Sequence, residues 1–168
     1  MRASQRNQER WRIRSSLKPG DIGWIVHLHG ILYAKEYGWN HTFDAYVADG
    51  LAKFAASFHA EKDRLWIAEK GEKIVGFIAI AGHSEKEAQL RWFLVHPTER
   101  GHGLGRTLLS NALDFCRQRR FRSVFLWTVG DLKVAAHLYR SVGFHKTEEK
   151  THHIWGKALT EEKYELSL

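Results

Sequence analysis

Between positions 100 and 105 the chain reads Arg100-Gly101-His102-Gly103-Leu104-Gly105, with glycine at every second place. Such spacing suits the binding of an anion by the backbone itself. Without side chains in the way, successive N–H groups converge on a ligand, and some φ angles of such a turn are open to glycine alone. The residues on either side fit the same purpose. Gln89 to Val95, rich in Leu, Trp, Phe and Val, reads as a strand. From Leu104 to Gln118, Leu104, Leu108, Ala112, Phe115 and Cys116 recur at helical spacing. A strand, a glycine turn and a helix N-terminus make a phosphate site, because unpaired amides and the positive end of the helix dipole face the ligand together. A P-loop is excluded, since the four-residue gap before its Lys and Ser or Thr is missing. A dinucleotide fingerprint is excluded too: position 106 is Arg, and the acid expected some twenty residues on is replaced by Phe125.

The elements that must hold this turn can be placed from pattern. Trp11 to Arg14 alternates as a first strand and ends at Pro19-Gly20. Asp21 is expected to cap a helix running to Tyr37-Gly38, and Thr42 a second one through Phe54. Leu65–Ala68 and Ile74–Ile80 read as strands joined by a turn containing Gly71, and Ser123–Thr128 as another. Lys133–Ser141 is a helix closed by Gly143. The final pair of strands is expected at Phe144–Gly156 and Tyr164–Leu168. The order mixes hairpins with crossovers. It predicts an α/β (α+β) fold with a single mixed, mostly antiparallel sheet of about seven strands and about four helices.

The run from Arg100 also matches R-x-x-G-x-G, and Ala135-Ala136-His137-Leu138-Tyr139-Arg140-Ser141-Val142-Gly143-Phe144 matches A-x-x-L-Y-x-x-x-G-F. In these two segments, in their order and in their separation, the chain resembles the GCN5-related N-acetyltransferases. Lys18–Trp24, His29-Gly30 with Tyr33, Glu36–Trp39 and Tyr164–Leu166 resemble more narrowly the acetyltransferase half of fusions that carry a MarR-type winged helix. The resemblance implies acetyl-coenzyme A as co-substrate, its pyrophosphate cradled by Arg100, Gly101, His102, Gly103, Leu104, Gly105 and Arg106. The pantetheine arm would pair with Phe93, Leu94 and Val95 where that strand splays from 123–128, and the Leu94 N–H would face the thioester carbonyl. Tyr139 is the implied general acid for the leaving thiolate, its phenol pKa lying above that of a thiol. One departure stands out: Leu132 occupies a position where many members carry Asn.

The acceptor implied is a primary amine, on a small molecule or on a protein. Glu36 lies among Tyr33, Tyr37 and Trp39, where the family builds its acceptor pocket; a carboxylate among rings can hold an ammonium and help remove its proton. His152-His153 and the pair His27 and His29 are further candidates for the base. The histidines show no ligand spacing beside a carboxylate, so no metal is expected.

Composition bounds the rest. A chain of 168 residues, 43% hydrophobic and 27% charged, is one globular domain by length, assigned here to 11–168. Residues 1–10 are polar, lack the apolar stretch of a secretory signal and are expected to form a disordered tail. No apolar run approaches the about 20 residues of a membrane span. The lone Cys116, on the apolar helix face, is expected to be a buried thiol, and the cytoplasm is the expected compartment. The formal charge of +7 concentrates in Arg2–Arg14 and Arg117–Arg122. A solvated helix end explains the second cluster better than a nucleic-acid patch, and a phosphate-bearing cofactor suits a basic protein. The competing reading is a basic module on the same fold that binds coenzyme A or nucleic acid without catalysis. A homodimer is left open.

Overall fold

The computed structural model describes residues 11–168, so the tail expected at 1–10 lies outside the described residues. The chain runs β1 (Arg12–Arg14), α1 (Asp21–Tyr37), α2 (His41–Ala56), β2 (Arg64–Lys70), β3 (Lys73–Gly82), β4 (Glu87–Val95), a 3-10 turn (Pro97–Glu99), α3 (Leu104–Gln118), β5 (Ser123–Val129), α4 (Lys133–Ser141), β6 (His145–Ile154) and β7 (Lys157–Ser167). One seven-stranded sheet has the order β1-β2-β3-β4-β5-β7-β6. Every pairing is antiparallel except that of β4 with β5, which α3 joins as a crossover. The mixed architecture expected from the element order is the one observed.

The sheet divides the apolar residues into two layers. On one face Leu104, Leu108, Ala112, Phe115 and Cys116 of α3 are all buried, against Ile78, Ile80, Leu126 and Tyr164. On the other, Ile25 and Leu28 of α1 and Val47 and Leu51 of α2 cover Ile67, Phe77 and Trp92. The two covering helices approach closely at Gly30, where a Cβ would stand 2.4 Å from the Asp44 carboxylate.

β4 keeps β5 for three residue pairs only, Glu87↔Ser123 to Gln89↔Phe125. Beyond Gln89 the strands part, and β5 pairs on its other side with β7 along its whole length. The parting coincides with a bulge in β4 opposite Phe77–Ala79, at which Trp92 adopts a left-handed φ of 52°. An extra residue there adds local twist and turns the strand out of line.

Three expectations need correction. Asp21 is not the cap of α1 but its first residue; Gly20, with φ 92°, is the cap. The Asp21 carboxylate accepts from both terminal guanidinium nitrogens of Arg14 at 2.7 and 2.8 Å and from the Lys18 amide. α2 is capped by Asn40, which accepts from the Thr42 N–H at 3.0 Å. β7 begins at Lys157 rather than Tyr164. Its first half shows no apolar alternation because its charged residues answer charges on β6, as in Lys150–Glu161 and Lys163–Glu148.

Arg14 ties β1 to α1 through Asp21 and to β2 through Glu69, with side-chain exposures of only 9% and 8% for Arg14 and Asp21. Burial alone would raise the Asp21 pKa, but the bonds from Arg14 and the Lys18 amide outweigh it and hold the group below its ordinary 3.8. Removing Arg14 strands a buried carboxylate. Arg14→Ala is expected to lower stability by about 3 kcal/mol in urea unfolding at pH 7. A depressed carboxyl pKa stabilises above its unfolded value, so the difference from wild type should shrink as pH falls below 3.8.

Candidate functional site

Two concavities meet in the gap between β4 and β5. The first is a groove of about 410 Å³ along the β4–α3 turn, walled by Phe93, Leu94, Val95, Arg100, Gly101, Gly103, Leu104, Gly105 and Arg106, and by Leu138 across from them. The expected anion turn thus forms one surface, apart from His102, which does not line it. Gly101 and Gly103 have φ of 78° and 88°, with nothing within 4 Å of where a Cβ would stand. Left-handed backbone with free space beside it is what an anion cradle made of amides requires. Gly105, one residue into α3, lines the groove, and a Cβ there would stand 3.5 Å from the Leu138 and Phe93 side chains.

The turn is held from behind by Glu99, a residue that pattern reading passed over. Its buried carboxylate accepts from the Trp11 indole at 2.8 Å and from Lys70 at 3.1 Å, tying the 3-10 turn to β1 and β2. These bonds, the one from Trp11 foremost, keep its pKa below the usual carboxylate range.

At the mouth of the groove Arg100 donates to both oxygens of Glu36, at 3.0 and 2.9 Å, and its Nε donates to the Val95 carbonyl at 3.1 Å. Glu36 and Tyr37 therefore stand beside the cradle and line the groove, whereas Trp39 lines the second concavity and Tyr33 both. The expected cluster of one acid and three rings is divided between the two.

That second concavity has about 140 Å³ of free volume and reaches through the gap in the sheet. Tyr33, Trp39, Phe43, Tyr46 and Trp155 form an aromatic wall, Tyr33 and Trp39 with ring centres 5.0 Å apart, Trp39 and Trp155 4.6 Å apart. The indole N–H groups of Trp39 and Trp92, both on this wall, are buried without a partner among the described residues. Glu161 of β7 also lines it, bonded to His152 Nε2 at 2.7 Å. Neither Trp155 nor Glu161 carried a sequence signal, since both lie on the polar β6–β7 hairpin.

The groove and the cavity share Tyr33, Phe93, Leu132 and Ala135. Tyr139 of α4 lines the cavity but not the groove; it is 5% exposed, its ring 6.1 Å from that of the shared Phe93. Burial pushes its phenol pKa well above the ordinary 10, so the hydroxyl keeps its proton. Leu132 is the N-cap residue of α4 and gives no side-chain cap.

The backbone register decides which amides face the gap. In the antiparallel ladder His96 N–H donates to Val75 O, and Gly76↔Val95 and Phe77↔Leu94 are the next pairs. Bonded and non-bonded pairs alternate, so Leu94 turns its N–H toward Phe77 and Val95 turns its own toward the gap. The donor expected at Leu94 is spent inside the sheet; Val95, and Phe93 two residues before it, hold the open side.

His29 illustrates the electrostatics of the cavity wall. It is 2% exposed, and its Nδ1 donates to Ile25 O at 2.8 Å. Burial pushes its pKa down from 6.5 to about 4, against a smaller rise from the Ile25 carbonyl. The ring is neutral at pH 7, with Nε2 left as an acceptor. A depressed histidine pKa stabilises above the unfolded value and is lost below it. Stability is expected to fall as pH drops from 6.5 to about 4, and His29→Gln should flatten that part of the curve in urea titrations.

Known proteins share the sequence pattern and the fold. Residues 26–144 match the model of the acetyltransferase (GNAT) family. The human N-acetyltransferase 8B is 29% identical over 127 residues, which is 72% of this chain and 56% of that protein. The chain thus spans about half the length of the curated relatives it matches. Among solved structures, yncA of Salmonella typhimurium with its cofactor acetyl-CoA superposes with a TM-score of 0.72 at 20% identity, over 95% of this chain and 94% of that one. The spermidine N-acetyltransferase of Vibrio cholerae, solved with CoA and spermine, gives 0.70 at 19% identity, over 94% and 95%. At such identities the likeness is one of fold.

Proposed function

The chain belongs to the acetyltransferase (GNAT) family, and from that premise we propose that it moves an acetyl group from acetyl-coenzyme A to a primary amine, with both bound at once. The observation that carries the reading is the junction: the amide-lined groove and the aromatic cavity share Phe93 and Leu132, and Tyr139 lines the cavity with its ring 6.1 Å from that of Phe93. Acetyl-coenzyme A supplies an activated acetyl thioester, two linked phosphates and an amide-bearing arm. The residues present fit each part. Gly101, Gly103 and the first amides of α3 would take the phosphates, with Arg106 beside them. The open edge of β4 would pair with the arm as a strand would.

On this reading the Val95 and Phe93 amides, not that of Leu94, stand where a developing oxyanion is to be held. The amine attacks as its free base. As the C–N bond forms and the C–S bond breaks, Tyr139 donates its proton to the sulfur that leaves, the proton lost by the nitrogen passes to water, and water restores the phenol. The burial that raises its phenol also disfavours a free thiolate, so donor and leaving group rise together inside the site. Arg100 is shared: Glu36 and the Val95 carbonyl hold it now, and an incoming phosphate competes for it. Glu36 would then act on the groove side rather than on the acceptor. The stretches at Lys18–Trp24 and Tyr164–Leu166 support a kinship with the acetyltransferase half of winged-helix fusions.

Two measurements separate the parts of this reading. Gly105→Ala places a methyl on the groove wall without backbone strain, so a melt should show unchanged or slightly raised stability. Acetyl-coenzyme A affinity, by calorimetric titration, should fall roughly tenfold, the worth of about one charge-assisted hydrogen bond. Unchanged affinity would place the cofactor elsewhere.

Tyr139→Phe removes only a hydroxyl. The acetyl-transfer rate, followed by thiol release, is expected to fall by roughly 10²–10⁴ while cofactor affinity holds. A fall under about threefold with chemistry rate-limiting would return Tyr139 to the role of a core residue.

A further inference from the structure

We propose that the acceptor is a compact primary amine with one cationic nitrogen and a ring-sized apolar body, and that Glu161 binds its ammonium. The proposal rests on the acetyltransferase reading for what happens next to the amine, but the binding site itself stands on three observations of the cavity.

Among the described residues that line the cavity, Glu161 is the single carboxylate. It reaches there from β7, where it pairs with Val129 on one side and Lys150 on the other, and its side chain is 18% exposed. A charge so placed is only partly solvated, so a cation that reaches it is held more firmly than on an open surface. The second observation is that an ammonium already sits nearby. The Lys150 Nζ lies 3.8 Å from Glu161 Oε2 and 4.8 Å from the centre of the Trp127 ring, and Trp127 lines the cavity as well. Carboxylate and ring therefore accept a primary ammonium between them; His152 Nε2 lies 2.7 Å from the same Glu161 oxygen, so an amine entering the cavity competes with both Lys150 and His152 for that carboxylate.

The third observation is size and charge on the remaining walls. About 140 Å³ bounded largely by rings compares with the about 150 Å³ apolar cavity that holds one benzene. Arg91 is the guanidinium on the same wall, its charge stacked over Trp92 at 4.2 Å. A second cationic nitrogen on the acceptor would meet Arg91 rather than another acid, and discrimination against polyamines follows from that repulsion.

Benzylamine and spermidine are the probes, each titrated calorimetrically into wild type, Glu161→Gln and Lys150→Met, and each assayed for thiol release with acetyl-coenzyme A. Glu161→Gln keeps the shape of a half-buried side chain, and a melt verifies folding. Benzylamine is expected to bind wild type, to bind Glu161→Gln roughly 10–100-fold more weakly, with KM rising and kcat within about threefold, and to bind Lys150→Met more tightly. A purely structural Glu161 would not give opposite signs for the two variants. Equal benzylamine affinity in Glu161→Gln and wild type, or a preference for spermidine, overturns the proposal while leaving acetyl transfer intact. Glu161-dependent benzylamine binding without thiol release overturns the acetyl-transfer reading and leaves the ammonium site standing.

Discussion

Beyond Gln89 one edge of β4 has no strand beside it among the described residues, in the middle of a sheet where backbone polar groups are ordinarily paired. That constraint organises the molecule. Amides and carbonyls left open inside a fold must find water or a ligand, and the residues around them are arranged accordingly. The bulge at Trp92 turns the strand out of line, the crossover helix α3 starts where the strand ends, and the turn between them contributes amides to the same gap. The groove and the aromatic cavity adjoin in that gap and share Tyr33, Phe93, Leu132 and Ala135.

The gap also explains which charges are buried. Parting two strands weakens the sheet at its centre, and the β1 side is fastened by side chains in compensation. Arg14 joins β1, α1 and β2 through Asp21 and Glu69, and Glu99 joins the cradle to β1 and β2 through Trp11 and Lys70. These are ion pairs with good geometry and several donors, the form in which a buried charge is tolerable. Their effect is to fix where the glycine turn sits relative to the sheet edge it serves.

Much of this was legible in the sequence. The α3 stripe of Leu104, Leu108, Ala112, Phe115 and Cys116 marks a helix whose bounds the structure keeps, and the glycines at 101 and 103 take the left-handed angles their spacing suggested. What was not legible depends on partners distant in sequence. Asp21 looks like a cap until Arg14 claims it, and Glu36 looks like an amine ligand until Arg100, 64 residues away, faces it. The hydrogen-bond sense of Leu94 depends on the β3–β4 register. Glu161 lies in a run of charges whose meaning comes only from β6 opposite and from the cavity behind it.

The two ends of the sheet are unlike its centre. At one end β1 has three residues; at the other β6 is exposed along most of its length and carries Lys146, Glu148, Glu149 and Lys150. A very short strand and a strongly charged one are both poor templates for another chain to extend. Growth of the sheet by edge-to-edge addition, the route by which open sheets polymerise, is therefore disfavoured at both ends. Any self-association of this fold must be sought on its helical faces, where Trp24 and Ile31 of α1 are exposed, rather than along its strands.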